Sequence, residues 1–241
     1  MSTLPAGAPS GVQAPARPGL RIGLMVPANN TTMHDELLAW MPPGSTVSLR
    51  RIPRGKGLLT PETIGAYTGS ALELAGEFRD ETLDAVAYGC TAAGFISGPA
   101  GDAALRHDLE RITGKPVVST ANAMVDALVS DRARRIALVT PYQDDVNERL
   151  RAYLSASSIE VSRFASFYAR DTDALGRIGA AQVAALARET MADDCDALFI
   201  GCSQLPTHAI IDALRLESDR PAWSSIRATA WAIHRLLNAR R

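Results

Sequence analysis

Short, unbroken apolar runs, each closed by Pro, Gly or a small polar residue, alternate along this chain with stretches of three- and four-residue hydrophobic spacing. Runs such as Ala85-Val86-Ala87-Tyr88 and Ala197-Leu198-Phe199-Ile200 lack the polar alternation of a half-exposed strand and fit parallel strands buried on both faces. Between them, Pro61-Glu62 opens a helix that runs through Tyr67, Leu72 and Leu74 towards Phe78, with Thr60 as its N-cap and proline in the first turn. Asp145 to Ser155 and Ala180 to Met191 carry helical spacing as well, and Thr120 to Val129 and Ser225 to Leu237 predict two further, equivalent helices. Strands alternating with helices imply parallel sheets wound by right-handed crossovers.

The chain also resembles itself. Arg21-Ile22-Gly23-Leu24-Met25-Val26-Pro27 returns as Arg135-Ile136-Ala137-Leu138-Val139-Thr140-Pro141, and Asp84 to Thr91 (DAVAYGCT) returns as Asp196 to Ser203 (DALFIGCS). Lys115-Pro116-Val117-Val118-Ser119-Thr120 is echoed by Arg220-Pro221-Ala222-Trp223-Ser224-Ser225. The three offsets, 114, 112 and 105 residues, come in the same order, so the chain reads as two copies of one unit. The expected fold is α/β: two pseudo-symmetric Rossmann-like lobes, each a parallel sheet flanked by helices, with the active site between them. Residues 1–20 read as a flexible Pro-, Ala- and Gly-rich tail, 21–118 with 222–241 as the first lobe, and 119–221 as the second.

Composition narrows the function. With 241 residues, 46% hydrophobic, 21% charged and net charge −1, the chain offers no electrostatic reason for a nucleic-acid or membrane partner. The basic clusters at Arg132, Arg134 and Arg135 and at Arg240 and Arg241 read as solvated surface. No run reaches the length of a membrane span, and the N-terminal segment lacks the apolar core of a signal peptide. Three cysteines without CxxC spacing and four scattered histidines argue against a disulfide framework or a metal site. No GxGxxG follows the first strand and no GxxxxGK[ST] occurs. The expectation is a cytoplasmic, reduced protein with neither metal nor cofactor.

Cys90 and Cys202 occupy matching Gly-Cys-Thr/Ser contexts at strand ends, where ligands of open parallel sheets bind. A pseudo-twofold axis would bring the two thiols to opposite sides of one cleft, suited to acid–base or nucleophilic chemistry. A lone strand-end cysteine is more often a small buried residue, but the duplication weakens that reading; Cys195, without a repeat partner, reads as a bystander. Gly89 and Gly201 would let the backbone approach a ligand closely. Thr91 and Ser203 bring a hydroxyl and an N–H to a helix start, a place for carboxylate. Pro27, Asn30 and Thr31, in the polar segment after the first strand, are further candidates, although an ordinary N-cap also explains Asn and Thr there. Tyr142 is a candidate hydroxyl for an enolate or carboxylate oxygen, or a core aromatic.

At these residues the chain resembles the aspartate/glutamate racemase superfamily, within it the maleate cis–trans isomerase and arylmalonate decarboxylase branch. Pro27-Ala28-Asn29-Asn30-Thr31-Thr32-Met33, Tyr88-Gly89-Cys90, Pro141-Tyr142 and Gly201-Cys202 carry the resemblance, which runs from about Arg21 to the C-terminus. It implies a cofactor-independent enzyme on a small dicarboxylate, maleate first, and a homo-oligomer. In it Cys90 would add to the alkene carbon, Cys202 would act as partner acid and base, and Asn30 and Tyr142 would hold carboxylates. The stretch Tyr142 to Leu150 (YQDDVNERL) is more similar to arylmalonate decarboxylases. That enzyme resembles a one-cysteine version with glycine at the first position, whereas this chain has Cys90. Decarboxylation, amino-acid racemisation and a non-enzymatic small-acid binding protein stand as the alternatives.

Overall fold

The computed structural model describes residues 19–55 and 57–239. Most of the expected tail, and Arg240 and Arg241, lie outside the described residues. The last residue assigned to that tail is already docked: Leu20 is buried, its N–H donates to Ser45 Oγ at 2.9 Å, and its carbonyl accepts from Thr46 N–H.

The first half runs β1 (Arg21–Pro27), α1 (Met33–Ala39), β2 (Thr46–Ile52), α2 (Ile64–Ala75), β3 (Ala85–Tyr88), α3 (Thr91–Ile96), α4 (Gly98–Thr113), β4 (Val117–Ser119) and α5 (Thr120–Ser130). The second runs β5 (Arg135–Thr140), α6 (Asp144–Ser155), β6 (Glu160–Ser166), α7 (Thr172–Gly176), α8 (Ala180–Thr190), β7 (Ala197–Ile200), α9 (Ile211–Ser218), β8 (Ala222–Ser224) and α10 (Ser225–Asn238). Two four-stranded sheets result, ordered β2-β1-β3-β4 and β6-β5-β7-β8, with every pairing parallel. The apolar runs became the inner strands: β3 and β7 are buried at every position. The edge strands β2 and β6 have mixed exposure, which is why their sequences do not stand out as apolar runs.

The repeat has a mechanical content. Ile22 faces Ala85 and Ile136 faces Ala197 in register. The aspartate opening each copy holds the start of the neighbouring strand: Asp84 Oδ2 accepts from Arg21 N–H at 2.7 Å, and Asp196 Oδ2 accepts from the N–H groups of Arg134 and Arg135 at 2.8 and 2.7 Å. One assignment differs from the sequence reading. Ala222–Ser224 pairs with β7 in the second sheet rather than with the first lobe, because the Pro221 carbonyl accepts from Leu198 N–H and sets β8 beside β7. The helix that follows it, α10, packs against α5 and reaches α1, β3 and β4. The crossing point is polar: Thr120 Oγ1 donates to the Tyr88 carbonyl, and Thr229 Oγ1 lies 3.1 Å from Thr120 Oγ1.

Candidate active site

A cleft enclosing about 510 Å³, counting the solvent at its mouth, opens beyond the carboxyl ends of the strands and receives residues from both halves. Cys90 follows β3 as the N-cap of α3, in extended backbone (φ −116°, ψ 100°), and Cys202 follows β7. The repeated β-strand–Gly-Cys pattern thus delivers one thiol from each sheet to the same cavity. Leu58, Leu59, Leu175 and Ala92 give it apolar walls, and a few polar groups converge between them, the usual composition of a small-molecule site.

The thiols are buried but not equivalent. Burial pushes Cys90 up from its ordinary value; the N–H groups of Ala93 and Ala92, the Arg54 cation and the Tyr67 hydroxyl act in the opposite direction. Burial likewise pushes Cys202 up, to about 11, against the N–H of Gln204, the Tyr142 hydroxyl and the Arg54 cation, and a charge on Cys90 raises it further. Gln204 N–H lies 3.5 Å from Cys202 Sγ, and the N–H of Cys202 itself is held by Ser225 Oγ at 3.0 Å. Cys202 is therefore a protonated thiol through the neutral range.

Two tyrosine hydroxyls bracket the pair. Tyr142, stacked edge-on to Phe95 at 5.6 Å, presents its Oη towards Cys202 and Thr91. Tyr67, from α2, presents its Oη towards Cys90. Each ring is about 95% buried, at 5% and 4% exposure, and neither hydroxyl finds a hydrogen-bond partner of ordinary geometry among the described residues. Buried tyrosine hydroxyls are normally satisfied, so both point to a ligand's oxygen. Tyr67 appears in the sequence only as an apolar helix position. Arg54, Gln204 and Thr172, which also line the cleft, left no signal either, since each comes from a loop or element end without a repeat partner.

Several expected binding residues are occupied elsewhere. Asn30 Oδ1 accepts from the N–H groups of Thr32 and Met33, at 3.1 and 2.9 Å, while its Nδ2 donates to Ser203 Oγ at 3.2 Å. Ser203 Oγ donates its single proton to the Gly89 carbonyl at 2.7 Å. Asn30 and Ser203 both line the cleft, yet they chiefly tie one half to the other, leaving one Asn30 N–H. Thr31 is exposed and clasps Gln204: its N–H donates to Gln204 Oε1 at 2.9 Å, and its Oγ1 accepts from Gln204 Nε2 at 3.0 Å. Pro27 and Thr91 line the cavity, with Thr91 Oγ1 donating to Ser225 Oγ at 3.1 Å. Gly89 answers to packing and Gly201 does not. A Cβ on Gly89 would lie 2.5 Å from Met33 Sδ and 2.9 Å from the Met25 carbonyl oxygen, whereas one on Gly201 would meet nothing closer than 3.6 Å. Cys195 sits away from the cleft, 3.4 Å from Ser162 Oγ.

Among the described residues no group of three or more His, Cys, Asp or Glu side chains is arranged to hold a metal ion, and no helix is long and apolar enough to cross a membrane.

The family model for arylmalonate decarboxylase matches residues 22–241. The maleate isomerase of Nocardia farcinica is 30% identical over 226 residues, covering 90% of each chain. The arylmalonate decarboxylase of Bordetella bronchiseptica is 30% identical over 184 residues, 76% of this chain and 77% of that protein. In structure, a cysteine variant of the Nocardia farcinica maleate cis–trans isomerase with a covalently bound succinylcysteine intermediate superposes with a TM-score of 0.81 at 29% identity, covering 91% of this chain and 93% of that one. Parallel sheets in matching order, a thiol from each half in one cleft and likeness over nearly the whole length converge: this chain belongs to the arylmalonate decarboxylase family, and the proteins it is similar to are maleate isomerases as well as a decarboxylase.

Proposed function

We propose that this protein is an isomerase of small cis-enedioates, with maleate as substrate and fumarate as product. The observation that carries the reading is a pair of thiols from matching strand ends in one cavity: burial raises both, Cys202 to about 11, and the N–H groups of Ala93 and Ala92 at the start of α3 act against that burial at Cys90. A thiolate and a thiol facing one bound molecule constitute a nucleophile and an acid.

In the proposed sequence the Cys90 thiolate adds to one alkene carbon. The π electron pair moves into the adjacent carboxylate as an enediolate, and Cys202 protonates the other carbon. The carbon–carbon bond is now single and rotates. Cys202, now the thiolate, removes a proton from that carbon, the double bond re-forms in the trans geometry, and Cys90 departs as thiolate. Charge develops on the carboxylate during addition, where the Tyr142 hydroxyl is available to donate; a donor already aimed at that position needs no reorganisation.

Decarboxylation of a substituted malonate is the second reading, favoured by the 30% identical decarboxylase and by the YQDDVNERL stretch. There Cys202 would protonate the enediolate left by carbon dioxide loss. Incubation with maleate, methylmalonate, phenylmalonate and aspartate in deuterated water, followed by NMR, separates these outcomes. Fumarate from maleate supports isomerisation, whereas loss of a malonate with carbon dioxide release and no change in maleate would replace it with the lyase. Cys90→Ala and Cys202→Ala are each expected to abolish turnover, with Cys195→Ala leaving it intact.

A further inference from the structure

Arg54 stands at the loop after β2, three and four residues from two other arginines whose charges are accounted for. Arg50 meets Glu77 and Glu81, and Arg51 donates to the carbonyls of Ala28 and Asn30. Arg54 has no carboxylate partner among the described residues. It donates through one terminal nitrogen to the Gly57 carbonyl, and its Nε is buried without a partner. A guanidinium carries five donors in a fixed fork that matches a carboxylate.

The surroundings make that unspent cation unusual. Among the described residues the cavity lining contains no aspartate or glutamate, and Arg54 is the one arginine or lysine in it. It lies within electrostatic reach of Cys90, Cys202 and Tyr67. On the Cys202 side, the Tyr142 hydroxyl already suits one carboxylate. On the Cys90 side, Tyr67 adds a second hydroxyl that is 96% buried and without a partner of ordinary geometry.

We propose that Arg54, with the Tyr67 hydroxyl beside it, forms a second anion subsite that takes the substrate's other carboxylate and restricts the cavity to dianions. The inference rests on the reading of this cleft as the substrate site. A monoanion of the same shape fills the walls and engages Tyr142 but leaves Arg54 desolvated and unpaired, so it binds more weakly.

Binding, rather than turnover, tests this, because Arg54 also bears on thiol ionisation and its loss would slow chemistry for either reason. Succinate and succinamate are unreactive four-carbon probes that differ by one charge. Calorimetric titration of the wild-type protein should show succinate preferred by roughly tenfold or more. Arg54→Gln should erase that preference while leaving succinamate affinity within about twofold, Arg54→Lys should retain part of it, and Tyr67→Phe should weaken succinate selectively. A thermal melt of each variant establishes that it is folded. Persistence of the preference in folded Arg54→Gln, or a wild-type protein that binds both probes equally or neither, overturns the subsite. Should maleate go unconverted while an Arg54-dependent succinate preference is measured, the isomerase reading fails and the subsite stands; maleate turnover without that preference has the reverse meaning.

Discussion

The division of labour between the thiols can be measured directly as a difference in ionisation. Cys202 titrates at about 11 against an ordinary 9, first because it is buried; two units correspond to about 3 kcal/mol in favour of the neutral thiol. At pH 8 on the order of one Cys202 in a thousand is thiolate, against about one in ten for a thiol at its ordinary value. Cys90 is also raised by burial, but two backbone N–H groups act against that burial where Cys202 has one, the Arg54 cation and a tyrosine hydroxyl bearing on both, and its charge pushes Cys202 further. Alkylation by iodoacetamide at a series of pH values, resolved by mass spectrometry at each cysteine, reads the two midpoints separately. A midpoint, unlike an absolute rate, is insensitive to how poorly the reagent reaches a buried sulfur. Cys90 is expected to become reactive at lower pH, and Cys90→Ser should lower the Cys202 midpoint modestly, because the charge on Cys90 is part of what raises it. Ionisation of Cys202 first, or a common midpoint below 9, would remove the acid–nucleophile asymmetry and with it the assignment of roles. The linkage has a definite sign. Folded thiols raised above their unfolded value bind more protons than the unfolded chain in that window, so stability present below pH 9 is lost as pH rises towards 11, and the melting temperature should fall over that interval.

Three further outcomes follow from the packing. Gly89→Ala should cost about 1–3 kcal/mol in denaturant unfolding, since the Met25 carbonyl oxygen at 2.9 Å cannot move aside as Met33 can, whereas Gly201→Ala, with 3.6 Å of room, should change stability little; equal costs would refute the packing account. Glu36→Ala should cost about 1–3 kcal/mol, because Glu36 receives both the N–H and the hydroxyl of buried Thr207, at 2.7 and 3.0 Å, across the two halves. Asp102 is buried and raised by desolvation, although Ser119 and Tyr153 donate to its Oδ2 at 2.7 and 3.1 Å. Its raised value makes the native state the better proton binder just above pH 3.8, so its contribution to stability declines with rising pH there; Asp102→Asn should flatten that acid-side decline, and an unchanged pH–stability curve would count against it.

Sequence alone determined the duplicated α/β plan and the pair of reactive positions. Buried parallel strands demand unbroken apolar runs, and a duplicated unit must repeat its Asp-strand-Gly-Cys order at near-constant offset, so Cys90 and Cys202 could be matched without coordinates. The inner strands were legible because burial on both faces allows little polar alternation; β2 and β6, with mixed exposure, were not. Tertiary structure decided what a linear pattern cannot encode, namely which polar groups are spent. Asn30, Ser203 and Thr31 look like ligand donors in sequence, yet across the cleft their hydrogen bonds join Gly89, Gln204 and each other. Arg54 and Tyr67 reach the thiols only through the packing of a loop and a helix face. Hydrogen-bonding capacity is local to a residue, but its satisfaction depends on partners as far as 173 positions away in the chain, and only the folded molecule brings those partners together.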